Sequence, residues 1–381
     1  MEAKTVMCSY LSRKMSKVRW QPNDDLPCSK FLTGSWGEPS QPLPNIEEVQ
    51  GNAVQLWKYV PNMEPIPLCT MEHPGDVTEL KFLDTETFLV SSSHGSLQLG
   101  QVENDKDETF YNIKSLNSWA NIHSFKNGAP SSLTSFARSK NGVVTVGDDG
   151  KLAVIALDNP TPLFSIEDPF NSSLKCVSFI NHKSFITGNS LGNLKVWDVS
   201  GGKPQSVFNL PSTLKLVSIN FIQQKPSQQH LLFVGSDDGS ITVWDMRNTE
   251  NPIILNTSHN ESGNVILFYF QCRNFSFIRG TQLMINLFLI LFPVSELQFH
   301  PENPNHFFTC SSLGELWHWD MKQDSSLQQW CGDTLNERLN VTALAEPLYL
   351  PLNSLDVVAE SVITTCDNEA TYIISKPLSL L

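Results

Sequence analysis

The residues of this sequence that could do acid–base chemistry are scattered and do not form a known catalytic motif. Carboxylate pairs such as Asp148–Asp149 and Asp237–Asp238 could in principle share a proton, but each directly precedes a glycine. Asp is favoured in such tight turns because its side chain accepts hydrogen bonds from nearby backbone N–H groups. There is no glycine-rich phosphate loop and no HExxH zinc motif, and no GxSxG nucleophile elbow is expected. We therefore expect no enzyme, no catalytic residues, no metal and no cofactor.

Charge and cysteine content narrow the possible partners. The 381 residues contain 26 Lys and Arg against 39 Asp and Glu, a net charge of −13. A surface that binds phosphates needs an excess of basic residues, so we expect no direct contact with nucleic acid. The eight cysteines form no CxxC pair, and Met1–Trp20 lacks the apolar core of a signal peptide. These features are typical of a reduced, intracellular protein.

A short repeat indicates the elements that position these residues. A turn residue is followed five places later by an aromatic or aliphatic residue, and in three copies this is Trp-Asp. These are Gly192 to Trp197–Asp198, Gly239 to Trp244–Asp245 and Gly314 to Trp319–Asp320, and weaker copies begin at Asn52 (ending at Trp57), Gly95, Gly150 and Asn368. The second and fourth residues after the turn residue are almost always apolar. This alternation is typical of a β-strand with one buried face.

Further strand-like segments precede each turn, and together they predict a β-propeller. Inner strands are predicted over Val77–Phe82, Cys176–Ile180, Val217–Phe221 and Glu296–Phe299. The seven turns are separated by 43, 55, 42, 47, 75 and 54 residues, mostly near the ~40–45-residue period of WD repeats. The sequence therefore predicts an all-β, seven-bladed WD-repeat propeller that spans residues 1–381 as a single domain. The WD positions, including Gly150, are expected to be structural.

The interval of 75 residues contains Ile266–Val294, a strongly apolar segment of 29 residues. Without it the interval is 46, in register with its neighbours, and Val265 joins directly to Ser295. Its longest uncharged stretch, Gly280–Val294, is shorter than the ~18 residues of a membrane span. We interpret Ile266–Val294 as an insertion foreign to the propeller, either translated non-coding sequence or an extruded loop, and expect no membrane insertion.

Edge strands predict how the ring closes. An open ring would leave unpaired strand edges in its first and last blades. The last blade is predicted from Val341–Ala345, Leu355–Val358, Val362–Thr365 and the turn to Thr371–Ile374, and the N-terminal segment Thr5–Leu11 is predicted to supply its outer strand.

The histidines are expected to be structural. His73 and His259 precede inner strands, where WD repeats use His in a hydrogen-bond network that ends on the Trp. His300 and His306 fall in a predicted turn rather than a metal site. No convergent set of titratable residues can be assigned to the central channel.

Several longer strings stand out beside the WD positions. They are LSRKMSKVRWQP (11–22), FLTGSW (31–36), HPGDVTELKF (73–82), VVTVGDDGKL (143–152), LGNLKVWD (191–198), GSDDGSITVWDMR (235–247), FHPENPNHFFTCSSLGELWHWD (299–320) and 354–372. Together they resemble one family, the forty-three kilodalton nucleoporins of the Y-shaped outer-ring complex of the nuclear pore. The resemblance runs in order through nearly the whole chain, with Gln101–Ser131 and Ile266–Val294 as departures.

This resemblance implies a scaffold role. The protein would contact the helical eighty-five kilodalton nucleoporin and other outer-ring nucleoporins. It would lie in the nuclear pore complex at the nuclear envelope, and support the transport of protein and mRNA without binding cargo or RNA.

One string leaves an alternative open. Trp244-Asp245-Met246-Arg247 is a WDxR sequence of the kind that substrate receptors of cullin-type ubiquitin ligases use to dock on an adaptor. Arg247 would then be a binding residue rather than a local ion-pair partner of Asp245. A third alternative, a propeller that reads histone tails or other peptides, would need an acidic pocket at the mouth of the channel.

Overall fold

The computed structural model describes residues 5–22, 30–37, 51–105, 110–139, 142–159, 161–167, 172–199, 205–209, 217–255, 293–321, 339–359 and 361–377. All regular elements in these ranges are strands, and they form seven sheets of four antiparallel strands. No helix with the length and hydropathy of a membrane span occurs in these ranges. The predicted all-β, seven-bladed propeller is confirmed.

Each blade starts with an inner strand and ends with an outer one. After β1 (Thr5–Tyr10), blade 1 contains β2 (Met15–Trp20), β3 (Lys30–Ser35), β4 (Asn52–Lys58) and β5 (Ile66–His73). Blade 2 contains β6 (Val77–Phe82), β7 (Thr87–Ser92), β8 (Leu97–Asn104) and β9 (Tyr111–Trp119). Blade 3 contains β10 (Leu133–Ser139), β11 (Gly142–Gly147), β12 (Lys151–Ile155) and β13 (Phe164–Glu167).

The remaining blades follow the same order. Blade 4 contains β14 (Leu174–Asn181), β15 (Ser184–Asn189), β16 (Leu194–Asp198) and β17 (Gln205–Asn209). Blade 5 contains β18 (Ile219–Gln224), β19 (Leu231–Ser236), β20 (Ile241–Asp245) and β21 (Asn248–Leu255). Blade 6 contains β22 (Val294–Phe299), β23 (His306–Ser311), β24 (Leu316–Met321) and β25 (Leu339–Ala343), and blade 7 contains β26 (Leu352–Val358), β27 (Ser361–Cys366), β28 (Ala370–Ser375) and then β1.

The N-terminal strand closes the ring as the sequence predicts. β1 pairs antiparallel with β28, from Thr5 opposite Ser375 to Tyr10 opposite Ala370. One assignment is wrong: Val341–Ala345 does not belong to the last blade, because β25 pairs with β24 and is the outer strand of blade 6. The last blade therefore consists of three C-terminal strands and β1.

The core is divided among the blade interfaces. Seven clusters of buried apolar residues occur among the described residues, and each joins two adjacent blades. The cluster between blades 7 and 1 contains Trp20, Trp57 and Ile373, for example. A four-stranded sheet cannot bury both of its faces alone, so each blade depends on its neighbours and the ring is one cooperative unit.

The turns between second and third strands follow the predicted five-residue rule with two corrections. Gly95, Gly150, Gly192, Gly239 and Gly314 all have left-handed φ values between 73° and 86°. In blades 1 and 7 the left-handed residue is instead a neighbour of the predicted asparagine, Gly51 rather than Asn52 and Glu369 rather than Asn368. These turns, and the starts of all inner strands, lie on one face of the disc, which we call the turn face.

The apolar segment Ile266–Val294 lies outside the described residues except for its last two positions. The last of these residues, Val294, starts β22, pairs with Ser311 and is buried. The C-terminal boundary of the predicted insertion therefore falls inside a blade strand.

Candidate functional site

The central channel contains a buried charge network that sequence analysis missed. Arg19 Nη2 lies 2.5 Å from Glu296 Oε1 and 3.1 Å from Glu79 Oε1. The three side chains come from the inner strands β2, β22 and β6, and each is about nine-tenths buried. The expectation that no titratable residues converge in the channel is therefore wrong.

Arg19 also binds the inner strand of blade 7. Its Nη1 donates to Ser354 Oγ at 2.9 Å and to Leu355 O at 3.3 Å. Glu296 accepts from the same pair, from Ser354 Oγ at 2.7 Å and from Leu355 N at 3.1 Å. Because Glu296, Ser354, Arg19 and Glu79 belong to blades 6, 7, 1 and 2, this network spans the place where the ring closes.

The network keeps its charges at neutral pH. Burial raises the pKa of Glu296, but the charges of Arg19 and Lys17 and the hydrogen bonds from Ser354 and Arg19 together outweigh that effect, and the pKa falls to about 2. Burial lowers the pKa of Arg19, but Glu296 and Glu79 shift it well above its usual value. The Glu79 pKa is lowered because the positive charges of Lys17, Lys81 and Arg19 outweigh burial. Asp356, by contrast, has its pKa raised by burial to about 6.

A second set of bonds follows the mouth of the channel on the turn face. The second residue of each inner strand is polar, and in five blades its side chain donates to the carbonyl of the first inner-strand residue of the next blade. The bonds are Ser16 to Val77 at 2.6 Å, Thr78 to Leu133, Thr134 to Leu174 at 2.7 Å, Asn220 to Val294 at 3.2 Å and Asn353 to Met15 at 3.0 Å. In blade 4 this position is Lys175, which pairs instead with Asp148 at 2.7 Å.

These bonds explain why the mouth is a poor ligand site. The cavity there has a volume of about 370 Å³ and is lined by Ser16, Thr78, Thr134, Lys175 and Asn220 among others. Their donor groups already hold neighbouring blades together, so a ligand would have to compete with the fold for them. Among the described residues that line this cavity, the charged side chains are one cation, Lys175, and one carboxylate, Asp76, so the lining is not predominantly acidic.

The predicted WD tryptophans lie in the third strands and are buried. Trp57, Trp197 and Trp319 each donate from Nε1 to a threonine of the second strand at 2.9 Å. The acceptors are Thr33, Thr187 and Thr309. Trp244 is also buried, but Val234 occupies the corresponding position in β19.

The Asp residues of the WD dipeptides differ in their partners. Asp245 forms an ion pair with Arg247, with Nη2 at 2.7 Å from Oδ2. Asp320 Oδ1 lies 3.6 Å from His306 Nδ1, and Asp198 is half-buried at the end of β16. Arg247 is mostly exposed in the turn between β20 and β21, so the structure places it on the surface with its guanidinium already paired.

The histidine network occurs in a blade where the sequence pattern did not predict it. His123 is fully buried, with Nδ1 2.9 Å from Asp149 Oδ1 and Nε2 3.0 Å from Thr145 Oγ1. His73 instead contacts the carbonyl of Gly75 at 3.0 Å, and His259 lies outside the described residues. His123 was missed because it is in Gln101–Ser131, which departs from the family strings, and because its blade has Ile155 where others have Trp.

Two other possible sites do not form. No group of three or more His, Cys, Asp and Glu side chains suited to a metal ion occurs in the described part of the chain. The string GNSLG over Gly188–Gly192 has GxSxG spacing, but it is the turn between β15 and β16. A nucleophile elbow joins a strand to a helix, whereas this turn joins two strands of one blade.

These features define the class of protein as a WD-repeat β-propeller. The family model "WD domain, G-beta repeat" matches residues 214–245, which include the first three strands of blade 5. Over almost its full length the chain is similar to a particular nucleoporin. It is 26% identical to Nucleoporin Nup43 of Homo sapiens and 26% identical to that of Mus musculus, in each case over 97% of this chain and 98% of the relative.

A more distant relative is also a nuclear pore protein. The Nuclear pore complex protein nup43 of Dictyostelium discoideum is 24% identical over 49% of this chain and 37% of its own length. Together the comparisons support a Nup43-like WD-repeat nucleoporin, which confirms the resemblance predicted from the sequence.

Proposed function

We propose that the protein is a structural nucleoporin of the outer-ring Y complex. It would act in the nuclear pore complex at the nuclear envelope and support the transport of protein and mRNA through protein–protein contacts. The observation that carries this proposal is the similarity to Nup43, which extends over 97% of the chain and so includes all seven blades. The name of the Dictyostelium relative supports the same location.

The geometry supports a rigid, non-enzymatic role. The polar groups of the channel and its mouth bond one blade to the next, so they stabilise the disc rather than present a reactive centre. The WD residues Trp57, Trp197, Trp244 and Trp319 act as packing positions in this proposal. A disc of this kind offers loop-bearing faces on which a helical protein can dock, and its net charge of −13 disfavours direct binding of RNA.

The proposed partners are other outer-ring nucleoporins, foremost the helical eighty-five kilodalton nucleoporin. Affinity purification of a tagged chain from cells tests this directly, together with imaging of the same tag. We expect recovery of outer-ring nucleoporins and a punctate rim at the nuclear envelope. A diffuse signal with no nucleoporins recovered would contradict the proposal.

The cullin-ligase alternative depends on Arg247. Its guanidinium pairs with Asp245 through Nε and Nη2 and is mostly exposed, so a partner would meet Arg247 on the surface in its paired state. The same purification separates the two functions, because recovery of cullin and adaptor subunits without nucleoporins would favour the receptor. An Arg247→Ala variant that still recovers nucleoporins would leave the scaffold role intact.

A further inference from the structure

Two tyrosines on the turn face are the most exposed large apolar side chains among the described residues. Tyr349 has 76% of its surface exposed and Tyr10 has 73%. Both belong to the closing blade: Tyr10 ends β1, and Tyr349 lies in the loop that leads into β26. Leu350, next to Tyr349, is 43% exposed. Isolated apolar residues on a surface are ordinary, but exposed tyrosines that share one edge are typical of a binding surface.

The strand pairing places these residues along one strip. Tyr10 lies opposite Ala370, and Ala370 lies opposite Cys366. Cys366 Sγ in turn contacts the carbonyl of Leu350 at 3.7 Å. With neighbouring strands about 4.8 Å apart, the strip crosses the turn-face edge of blade 7 over roughly 15 Å.

Tyr349 is held in an unfavourable backbone conformation. Its φ is 57°, in the left-handed region that bulky residues rarely adopt. The loop is fixed there because Leu348 N donates to Gly314 O at 3.0 Å, and because Gly314 has no side chain to keep the loop away. Strained residues concentrate at functional sites, where the fold is able to hold them. A Tyr here makes a large apolar side chain protrude from a rigid loop.

The surroundings of the strip are acidic. Glu346, three residues before Tyr349, is exposed, and Asp367 and Glu369 are half-exposed in the turn between β27 and β28, which bonds to the backbone next to Tyr10 and Leu350. Asp367 also accepts a hydrogen bond from Asn353 Nδ2 at 2.7 Å. Two basic residues of the adjoining connection keep their charge but lie against blade 1, so they are fewer than the three carboxylates and directed to a different blade. Arg13 Nη1 donates to Gly51 O at 2.6 Å, and Lys14 Nζ lies over the ring of Trp36. A partner segment that fits this strip therefore carries Lys or Arg beside an apolar side chain.

We propose that Tyr10, Tyr349 and Leu350 form the surface through which the propeller docks on the pore scaffold. Its occupant is a basic and apolar segment of another outer-ring nucleoporin, and this inference rests on the scaffold function proposed above. The tyrosines supply rigid contact area, and the carboxylates supply electrostatic complementarity and orientation.

The test compares matched surface variants of the full-length tagged chain in cells. One is the double variant Tyr10→Ser with Tyr349→Asn, and the control is Phe110→Ser, which removes a ring of similar exposure (67%) from the opposite face. Asn tolerates left-handed φ better than Tyr, so the double variant should fold with an unchanged or higher Tm. We expect it to recover outer-ring nucleoporins at least tenfold less than the wild type, and the control to match the wild type.

Three results would overturn the proposal in different ways. If the double variant recovers nucleoporins as well as the wild type, the surface is wrong and the scaffold function stands. If the wild type itself recovers none, the scaffold function fails and this inference fails with it. If the purified chain sediments as a dimer that the double variant dissociates, the occupant is a second copy of the chain.

A charge variant tests the chemistry of the occupant. Glu346→Lys should reduce recovery severalfold, and the reduction should become smaller as salt is raised, because screening weakens the repulsion between like charges. Recovery that is unchanged at every salt concentration would contradict a basic occupant.

Discussion

Arg19 and Glu296 are 277 residues apart in the sequence, yet Arg19 Nη2 lies 2.5 Å from Glu296 Oε1 in the channel wall. The two residues belong to blades 1 and 6, and the blade between them is the one that closes the ring. The closure therefore has two independent parts, the β1–β28 ladder at the outside of the disc and this ion pair at its centre.

Removing Arg19 should be far more harmful than removing a surface cation. Arg19→Met leaves Glu296 and Glu79 buried without the guanidinium that joins them, which we expect to cost about 3–5 kcal/mol of unfolding free energy. Lys114→Met is the control, because Lys114 and Glu103 form an exposed pair 3.6 Å apart that is worth less than about 1 kcal/mol. Urea unfolding measures both, and equal losses would show that the network does not stabilise the ring.

The unfolding free energy should depend on pH in part through the ionisation of Glu296. Its pKa is about 2 in the folded state, below the ordinary value of a glutamate. Its contribution is therefore present above about pH 4.3 and is lost as the pH falls toward 2. Asp356 has the opposite effect on stability, because its folded pKa is raised to about 6. Its protonated form is favoured in the folded state, so the unfolding free energy falls as the pH rises from about 4 to 6. Thermal unfolding of Glu296→Gln should show a shallower decline below pH 4 than the wild type, and parallel declines would contradict this assignment.

The tryptophan–threonine bonds should contribute measurably to stability. Thr309→Val keeps the shape of the side chain but leaves Trp319 Nε1 without its acceptor in a buried site, which should cost about 1–3 kcal/mol. Val234→Thr is the reverse change, because it offers Trp244 the acceptor that blade 5 lacks, and it should cost little. Denaturant midpoints compare the two variants. A Thr309→Val protein as stable as the wild type would argue against a structural role for this WD position.

Loss of β1 should prevent the ring from closing. Deletion of residues 1–10 removes the whole strand and exposes the edge of β28 from Ala370 to Ser375, a site prone to aggregation. Deletion of residues 1–4 leaves the ladder intact and is the control. We expect the shorter deletion to remain soluble and the longer one to become insoluble on expression. A soluble, cooperatively unfolding protein that lacks residues 1–10 would refute this closure.

Deletion of Ile266–Val294 should be tolerated by the propeller. Val265 then occupies the place of Val294, which is buried and pairs with Ser311, so the inner strand of blade 6 keeps its register. Deletion of residues 266–295 is a sharp control, because Val265 then takes the place of Ser295 and Asn264 takes that of the buried Val294, which puts an amide side chain in an apolar position. Circular dichroism and thermal unfolding should show a native-like fold for the first deletion only. Loss of the fold in both would mean that the segment is part of blade 6.

Sequence patterns predicted the local parts of the fold well. The third strands and their turns were found because glycine, apolar alternation and tryptophan recur at fixed spacing within a few residues. β6 was predicted with its correct bounds for the same reason. The outer strand β25 was assigned to the wrong blade because outer strands are half-exposed and carry little apolar periodicity.

The channel network could not be predicted in the same way. Arg19, Glu79 and Glu296 stand in three different repeats, and only the closed ring brings them together. The polar residue at the second place of each inner strand did carry a signal, since Ser16, Thr78, Thr134, Asn220 and Asn353 share one register. That register becomes visible once the inner strands are aligned by their structural pairing.

The pairing of β1 with β28 also sets the order of events during synthesis. β1 leaves the ribosome first, but its partner in the ladder ends at Ser375, so at about 5–20 residues per second it waits for tens of seconds. Throughout that interval β1 has two free edges, and Arg19 lacks Glu296 until blade 6 has emerged. The nascent chain is thus an incomplete arc whose first strand is open to chaperones or to another copy of the protein, and an exchange of β1 between two chains is the misfolding route built into this closure.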